Sequence, residues 1–146
     1  MTGPFFVDTN VLVYADDARD AAKQARAREL LRRVLRERSG KLSLQVLQEF
    51  FAAATQKLGL SAVEARQRVE VFSHMDVVRL DVDDVLAAID LHRLHDLSIW
   101  DALVVRAALL AGCRTLYTED LQDGRRFEGL QVVNPFRDTG VPTERA

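Results

Sequence analysis

With 146 residues, 48% of them hydrophobic, the chain is the size of one ordinary domain and can bury most of the surface that its unfolded form exposes. Charge is near balance, with 20 Lys and Arg against 22 Asp and Glu, so the chain is not an overall polycation built for nucleic acid. The lone Cys113 excludes an internal disulfide and a thiolate-rich zinc site, the N-terminus lacks the pattern of a secretory signal, and no apolar run approaches the ~20 residues of a membrane span; a cytoplasmic protein without membrane contact is expected.

In chain order, Pro4 to Val7 reads as a buried strand running into the turn Asp8-Thr9-Asn10, and a short helix is expected from about Val11. Asp20 is placed to cap a helix to about Ser39, with Ala27, Leu30, Leu31, Val34 and Leu35 as its apolar stripe and Gly40 as its stop. Eight basic residues lie between Arg19 and Arg38 against three acidic ones. That stripe either tracks phosphates or is a solvated helix face. Leu42 to Leu44 fits a second strand, followed by a helix from about Gln45 to Leu58 with Val46, Leu47, Phe50, Phe51 and Ala54 buried and Gly59 as its end.

Ser61 with Glu64 is a capping-box signature for a helix to about His74. Val77 to Leu80 is β-branched and strand-like, and Val85, Leu86, Ile89 and Leu94 repeat at helical spacing. Ser98 opens an apolar helix through Leu110, closed by Gly112, before strands at Thr115 to Tyr117 and Leu130 to Val133. Strands alternating with helices imply a parallel sheet covered on both faces, with ligands beyond the carboxyl ends of its strands. One domain over residues 1–137 and a loosely held tail at 138–146 are expected.

Four carboxylates stand where these elements begin or turn: Asp8, Glu49, Asp101 and Asp120. Each has an ordinary reading. Asp8 suits a helix N-cap, Asp101 completes a capping box with Ser98, Glu49 borders a buried helix stripe, and Asp120 is a common turn residue. Together they can converge on one divalent metal. Asp123, in Gln-Asp-Gly, is an optional outer-shell candidate. The histidines share no zinc spacing, and Trp100 reads as a core or interface anchor.

The segments FFVDTNVLVYA, LSLQVLQEFF, LSIWDALVVRAALLAGCRTLYTEDLQDG and GLQVVNPF together resemble the PIN-domain ribonucleases, in particular the VapC-like toxins of type II toxin–antitoxin systems. The resemblance implies a three-layer α/β/α sandwich around a mainly parallel sheet. It implies Asp8, Glu49, Asp101 and Asp120 as catalytic metal ligands, Thr118 as a hydroxyl orienting a carboxylate, and Asn10 as a support of the first turn. It further implies endonucleolytic cleavage of RNA to 5′-phosphate and 3′-hydroxyl ends, a protein antitoxin that blocks the cleft with a basic group, and a homodimer, for which segments around Phe50 or around Val71 and Phe72 are the expected surface. An all-carboxylate donor set favours Mg2+ or Mn2+ over zinc, as one ion or two.

Two other α/β proteins, a signalling module and an enzyme, fit poorly. A receiver-type phosphoryl acceptor at Asp81 would need a lysine after a late strand, and Lys23, Lys41 and Lys57 all precede it. A dehalogenase-type phosphatase would need Asp where Asn10 stands. The alternative that competes is a non-catalytic PIN-like domain binding RNA or a partner.

Overall fold

A computed structural model describes residues 3–137, so the expected tail at 138–146 lies outside the described residues. Strand β1 (Phe5–Val7) leads into α1 (Thr9–Ala15) and α2 (Ala21–Arg36), and β2 (Gly40–Ser43) into α3 (Leu44–Gln56) and α4 (Ala62–Phe72). Strand β3 (Asp76–Val78) is followed by α5 (Val82–His95) and α6 (Ile99–Leu110), then by β4 (Thr115–Tyr117), β5 (Arg126–Phe127) and β6 (Leu130–Val133).

Among the described residues the strands form one sheet in the order β3-β2-β1-β4-β6-β5, parallel except where β5 folds back on β6. Parallel crossovers are right-handed, so the outward path β1 to β2 to β3 lays α1–α4 on one face, and the return to β4 lays α5 and α6 on the other. Packing follows that division: α1 touches α2 and α3, α3 touches α4, and α5 packs on α6. The result is the expected α/β/α sandwich. Its core joins Phe5, Phe6, Val7, Leu42, Leu116 and Val132 of the sheet to Leu12, Val34, Val46, Phe50 and Val105 of the helices. The direction of the crossovers reverses between β1 and β4, which makes the carboxyl ends of those two strands the crevice of the sheet.

The expected strands at 115–117 and 130–133 and the capping box at Ser61 are present, and Gly59 and Gly112 leave their helices with positive φ of 71° and 74°. Elsewhere the chain departs from expectation. Gly40 is not the stop of α2: that helix ends at Arg36, Arg38 takes the left-handed conformation, and Gly40 begins β2 against Val34, where a side chain would crowd. The apolar repeat of α5 forms a helix yet buries little, with Leu86 54% and Leu94 77% exposed. Trp100 is 62% exposed and is no core anchor.

Phe50, in the expected buried stripe, and Phe72 meet edge to face at 5.1 Å inside the core, whereas Phe51 of the same stripe is exposed, as is Val71 beside Phe72. A core ring cannot be lost without leaving a void. Phe50→Ala is expected to cost about 3–5 kcal/mol in urea denaturation, and Phe51→Ala about 1 kcal/mol or less.

The basic stripe is largely committed to structure. Lys23 pairs with Glu119, Arg26 donates to the Pro135 carbonyl, Arg28 to the Ala15 carbonyl and Arg33 to the Tyr117 hydroxyl. These bonds fasten α2 to its surroundings.

Candidate active site

The residues just beyond β1 and β4 build the crevice. The Asp8 N–H donates to the Tyr117 carbonyl at 3.1 Å and the Thr118 N–H to the Val133 carbonyl at 3.2 Å, so the sheet ladder runs one residue beyond each strand. The chain then turns into α1 with Asp8 as N-cap, its Oδ1 accepting from the Thr9 N–H at 2.7 Å. Its other oxygen accepts from the Thr118 hydroxyl at 2.8 Å.

That hydroxyl accepts in turn from Asn10 Nδ2 at 2.9 Å and from the Asp120 N–H at 3.1 Å. A hydroxyl has one proton and two lone pairs, and here all three are used. Asn10 also donates to Asp120 Oδ2 at 3.2 Å and accepts from the Glu119 N–H at 3.3 Å, so one amide spans the turn after β4.

Glu49 enters from α3. The Thr9 hydroxyl donates to its Oε1 at 2.8 Å and Gln45, one helical turn earlier, to its Oε2 at 3.1 Å. Asp101 stands in the first turn of α6, where its N–H donates to Ser98 Oγ at 3.0 Å. The return bond to the Ser98 backbone, which closes the boxes at α4 and α5, is not formed here, so the full capping box expected at this helix is half made. A carboxylate in a first helical turn is favoured by the helix dipole in either case.

Electrostatics tie the four together. Asp8 is 4% exposed, and burial, with the Asp120 and Glu49 charges adding, pushes its carboxyl up to about 7 against the lowering pull of the Thr118 hydroxyl and the Thr9 N–H. Asp101 is raised by burial and by the same two carboxylates, and lowered by the Ser98 hydroxyl. Asp120 and Glu49 therefore act on both of the other acids. Four elements deliver four carboxylates into one field.

Among the described residues, no three His, Cys, Asp or Glu side chains already close around a point as a finished ion cage. The donor chemistry nevertheless fits a hard cation: each Asp8 oxygen accepts one bond and keeps a lone pair, every candidate donor is oxygen, and a cation would relieve the crowding of like charge. Beside this cluster a cavity of about 580 Å³ is lined by Thr9, Asn10, Glu49 and Asp120 at one end.

The PIN domain family model matches residues 5–127. The chain belongs to the PIN domain family. PIN domains are generally nucleases and typically depend on a divalent metal. Solved structures share the fold. VapC20 of Mycobacterium tuberculosis, a sarcin-ricin loop cleaving toxin, is 21% identical with a TM-score of 0.64 over 80% of this chain and 89% of its own. A toxin–antitoxin complex from Klebsiella pneumoniae is 21% identical with a TM-score of 0.63, over 89% and 96%. VapBC2 of Rickettsia felis, bound to a DNA fragment from its promoter, is 15% identical with a TM-score of 0.63, over 88% and 96%. No curated protein sequence matches the chain significantly.

Asp123 of this PIN domain is bonded to the chain after β6. Its oxygens accept from the Asn134 N–H at 2.8 Å and from Arg137 at 3.4 Å, which holds the turn after β6. Sequence reasoning missed Thr9 and Gln45 as the groups that hold Glu49. Gln45 stands four residues before Glu49 on one helix, a spacing that faces the two side chains together. Also missed was the cluster in which Glu119 accepts from the Tyr14 hydroxyl at 2.7 Å and from Lys23 at 2.9 Å.

Thr118→Val keeps the shape of the side chain and deletes the hydroxyl. Asp8 is expected to titrate still higher, as read by NMR of its carboxyl carbon, because a hydrogen bond that favours its charged form is gone.

Proposed function

We propose that this PIN domain is a Mg2+- or Mn2+-dependent endoribonuclease that acts as the toxin of a toxin–antitoxin pair, hydrolysing RNA phosphodiesters to restrain translation or growth. The observation that carries the reading is the shared field of Asp8, Glu49, Asp101 and Asp120 at the sheet crevice, with Asp8 raised to about 7. Such a site is costly for a fold to keep and suited to a cation. One structural neighbour is a sarcin-ricin loop cleaving toxin, which supports RNA as the substrate class.

In this reading Asp8, Glu49 and Asp101 hold the metal and Asp120 completes the set. When bound, the metal supplies a Lewis acid for a phosphate oxygen and lowers the pKa of a water. The chain does the rest. Thr118 and the Thr9 N–H keep Asp8 in place, Thr9 and Gln45 hold Glu49, and Asn10 ties the turn that carries Asp120. A carboxylate of the set takes the proton from the attacking water.

The second reading is a PIN-like domain that binds RNA or a partner without catalysis. Incubating labelled structured RNA with the purified protein in Mg2+, Mn2+ or EDTA separates the two. Cutting that EDTA stops supports the nuclease. Loss of both cutting and metal binding supports the second reading.

The antitoxin belongs to the same proposal, since toxin–antitoxin complexes are among the structural neighbours. An apolar groove between α3 and α4, lined by Leu44, Leu47, Phe51, Ala62 and Val69 with Gln48 and Arg66 at its edge, suits an amphipathic helix of such a partner. For a homodimer, the exposed Val85, Leu86, Ile89 and Leu94 face of α5 is a second apolar surface beside the segments expected around Phe50 and around Val71 and Phe72, where Phe51 and Val71 are exposed. Monomeric elution at micromolar concentration would argue against it.

A further inference from the structure

The cavity beside the carboxylates continues well past them. Its walls are α1 and α3 with the loop after α1: Asn10, Val13 and Tyr14 lead to Asp17 and Arg19 on one side, while Glu49, Ala52 and Ala53 lead to Gln56 and Lys57 on the other. Eight residues of helix separate Glu49 from Lys57, about 12 Å along the axis of α3. The trough is acidic where the carboxylates stand, low and apolar at Val13, Ala52 and Ala53, and basic at its far end. At 3.4 Å per phosphate of a stacked strand, that length spans roughly three nucleotides.

The two cations at the far end are not equivalent. Asp17, itself buried, accepts from Arg19 Nε at 2.9 Å, Nη2 at 3.0 Å and the backbone N–H at 3.0 Å. One edge of the guanidinium is therefore fixed while Nη1 keeps both of its donors, and the Arg19 side chain stays 71% exposed. An arginine held in this way loses little freedom on meeting a ligand. Lys57, the C-cap of α3, is exposed and makes no ion pair or side-chain hydrogen bond among the described residues. A lysine at a helix C-terminus is favoured by the dipole alone, so its place on the trough needs a test.

We propose that Arg19 and Lys57 are phosphate-binding residues for the RNA strand, engaging backbone phosphates about three nucleotides from the scissile one and so setting the line along which the strand crosses the carboxylates. The inference rests on the nuclease reading and extends it. Phosphate contacts carry no base identity, so these residues contribute affinity and register, with sequence choice made elsewhere.

The test measures binding, separately from cleavage. Anisotropy of a labelled single-stranded RNA is followed with Asp101→Asn protein in Mg2+, from about 50 to about 200 mM salt. Lys57→Ala is expected to reduce the slope of log K against log salt by about 0.7, and the Arg19→Ala, Lys57→Ala double variant by about 1.4, with affinity lost equally for unrelated RNA sequences. Lys57→Ala touches no internal bond, so it reads the trough even if Arg19→Ala disturbs the Asp17 loop. Arg36→Ala, exposed in the last turn of α2 and about 20 Å along that helix from Lys23, should leave the slope unchanged. Unchanged slopes in the Lys57 and Arg19 variants, or an equal loss in Arg36→Ala, overturn the inference. With metal-dependent cleavage intact, that result leaves the nuclease reading standing. Loss of the cleavage reading alone leaves the slopes to decide, and a parent chain that binds no RNA overturns both.

Discussion

Asp101→Asn is expected to lower metal-dependent RNA cleavage about 10³-fold, since the charge stabilisation a bound metal gives is worth several kcal/mol and each 1.36 kcal/mol is a factor of ten. The variant is clean for a structural reason. Asp101 anchors α6 through its backbone N–H to Ser98 Oγ, a bond that Asn at 101 retains, and its carboxylate closes no capping box. Melting temperature without metal should be unchanged or slightly higher, because a carboxylate raised by burial and by Asp120 and Glu49 has lost its charge. Asp8→Asn is the poorer probe. The Thr118 hydroxyl already accepts from Asn10 and from the Asp120 N–H, so its single proton must go to residue 8, and an Asn amide turned toward it would offer a donor to a donor. Asp101→Asn protein that still cuts, with cutting stopped by EDTA, would remove Asp101 from the metal set.

The second large effect is on stability. Asp8 has its folded value near 7 and its ordinary value at 3.8, so between the two the folded chain holds a proton that the unfolded chain has released. Raising the pH through that window removes the proton and destabilises the fold. The favourable contribution is complete below 3.8 and lost above about 7, a difference on the order of 4 kcal/mol. Asp101, raised for related reasons, changes stability in the same direction. Asp17 and Glu64, lowered by their hydrogen bonds, change it in the opposite one, so the measurement should isolate the site. Melting in EDTA and in Mg2+ at about pH 5 and about pH 8 does so: a cation competes with the proton of Asp8, and the Mg2+-induced rise in melting temperature should be larger at the higher pH. An equal rise at both would detach the metal from Asp8.

The fold was legible where local chemistry decides it. Thr115 to Tyr117 and Leu130 to Val133 are bounded by breakers on both sides, and Ser61 with Glu64 states its own helix start. Gly40 misled because a glycine after a basic helix reads as a stop, while the tertiary structure needed it in β2 beside Val34. β5, two residues long, carries too little pattern to be seen. Periodicity placed α5 correctly and said nothing of whether a neighbour would cover it, so Leu86 and Leu94 were unreadable as surface. For the candidate site, the four carboxylates could be picked out as acids at element ends. Their shared field depends on β1 and β4 lying side by side, a pairing across more than one hundred residues that no local signal contains. The Thr9 bond to Glu49 is of the same kind, formed only because α1 packs against α3.

The bonds that continue the sheet past β1 and β4 have a consequence for control. Asp8 and Thr118 are fastened by the two central strands, which lie at the heart of the core and have neighbours on either side. A hinged lid or a disordered loop can be loosened while the rest of a protein stays whole, but this crevice has no such independence: opening it means opening the sheet. The strand-borne half of the site therefore shares the stability of the sheet, and a molecule seated in the trough would restrain an activity there without disturbing the sheet.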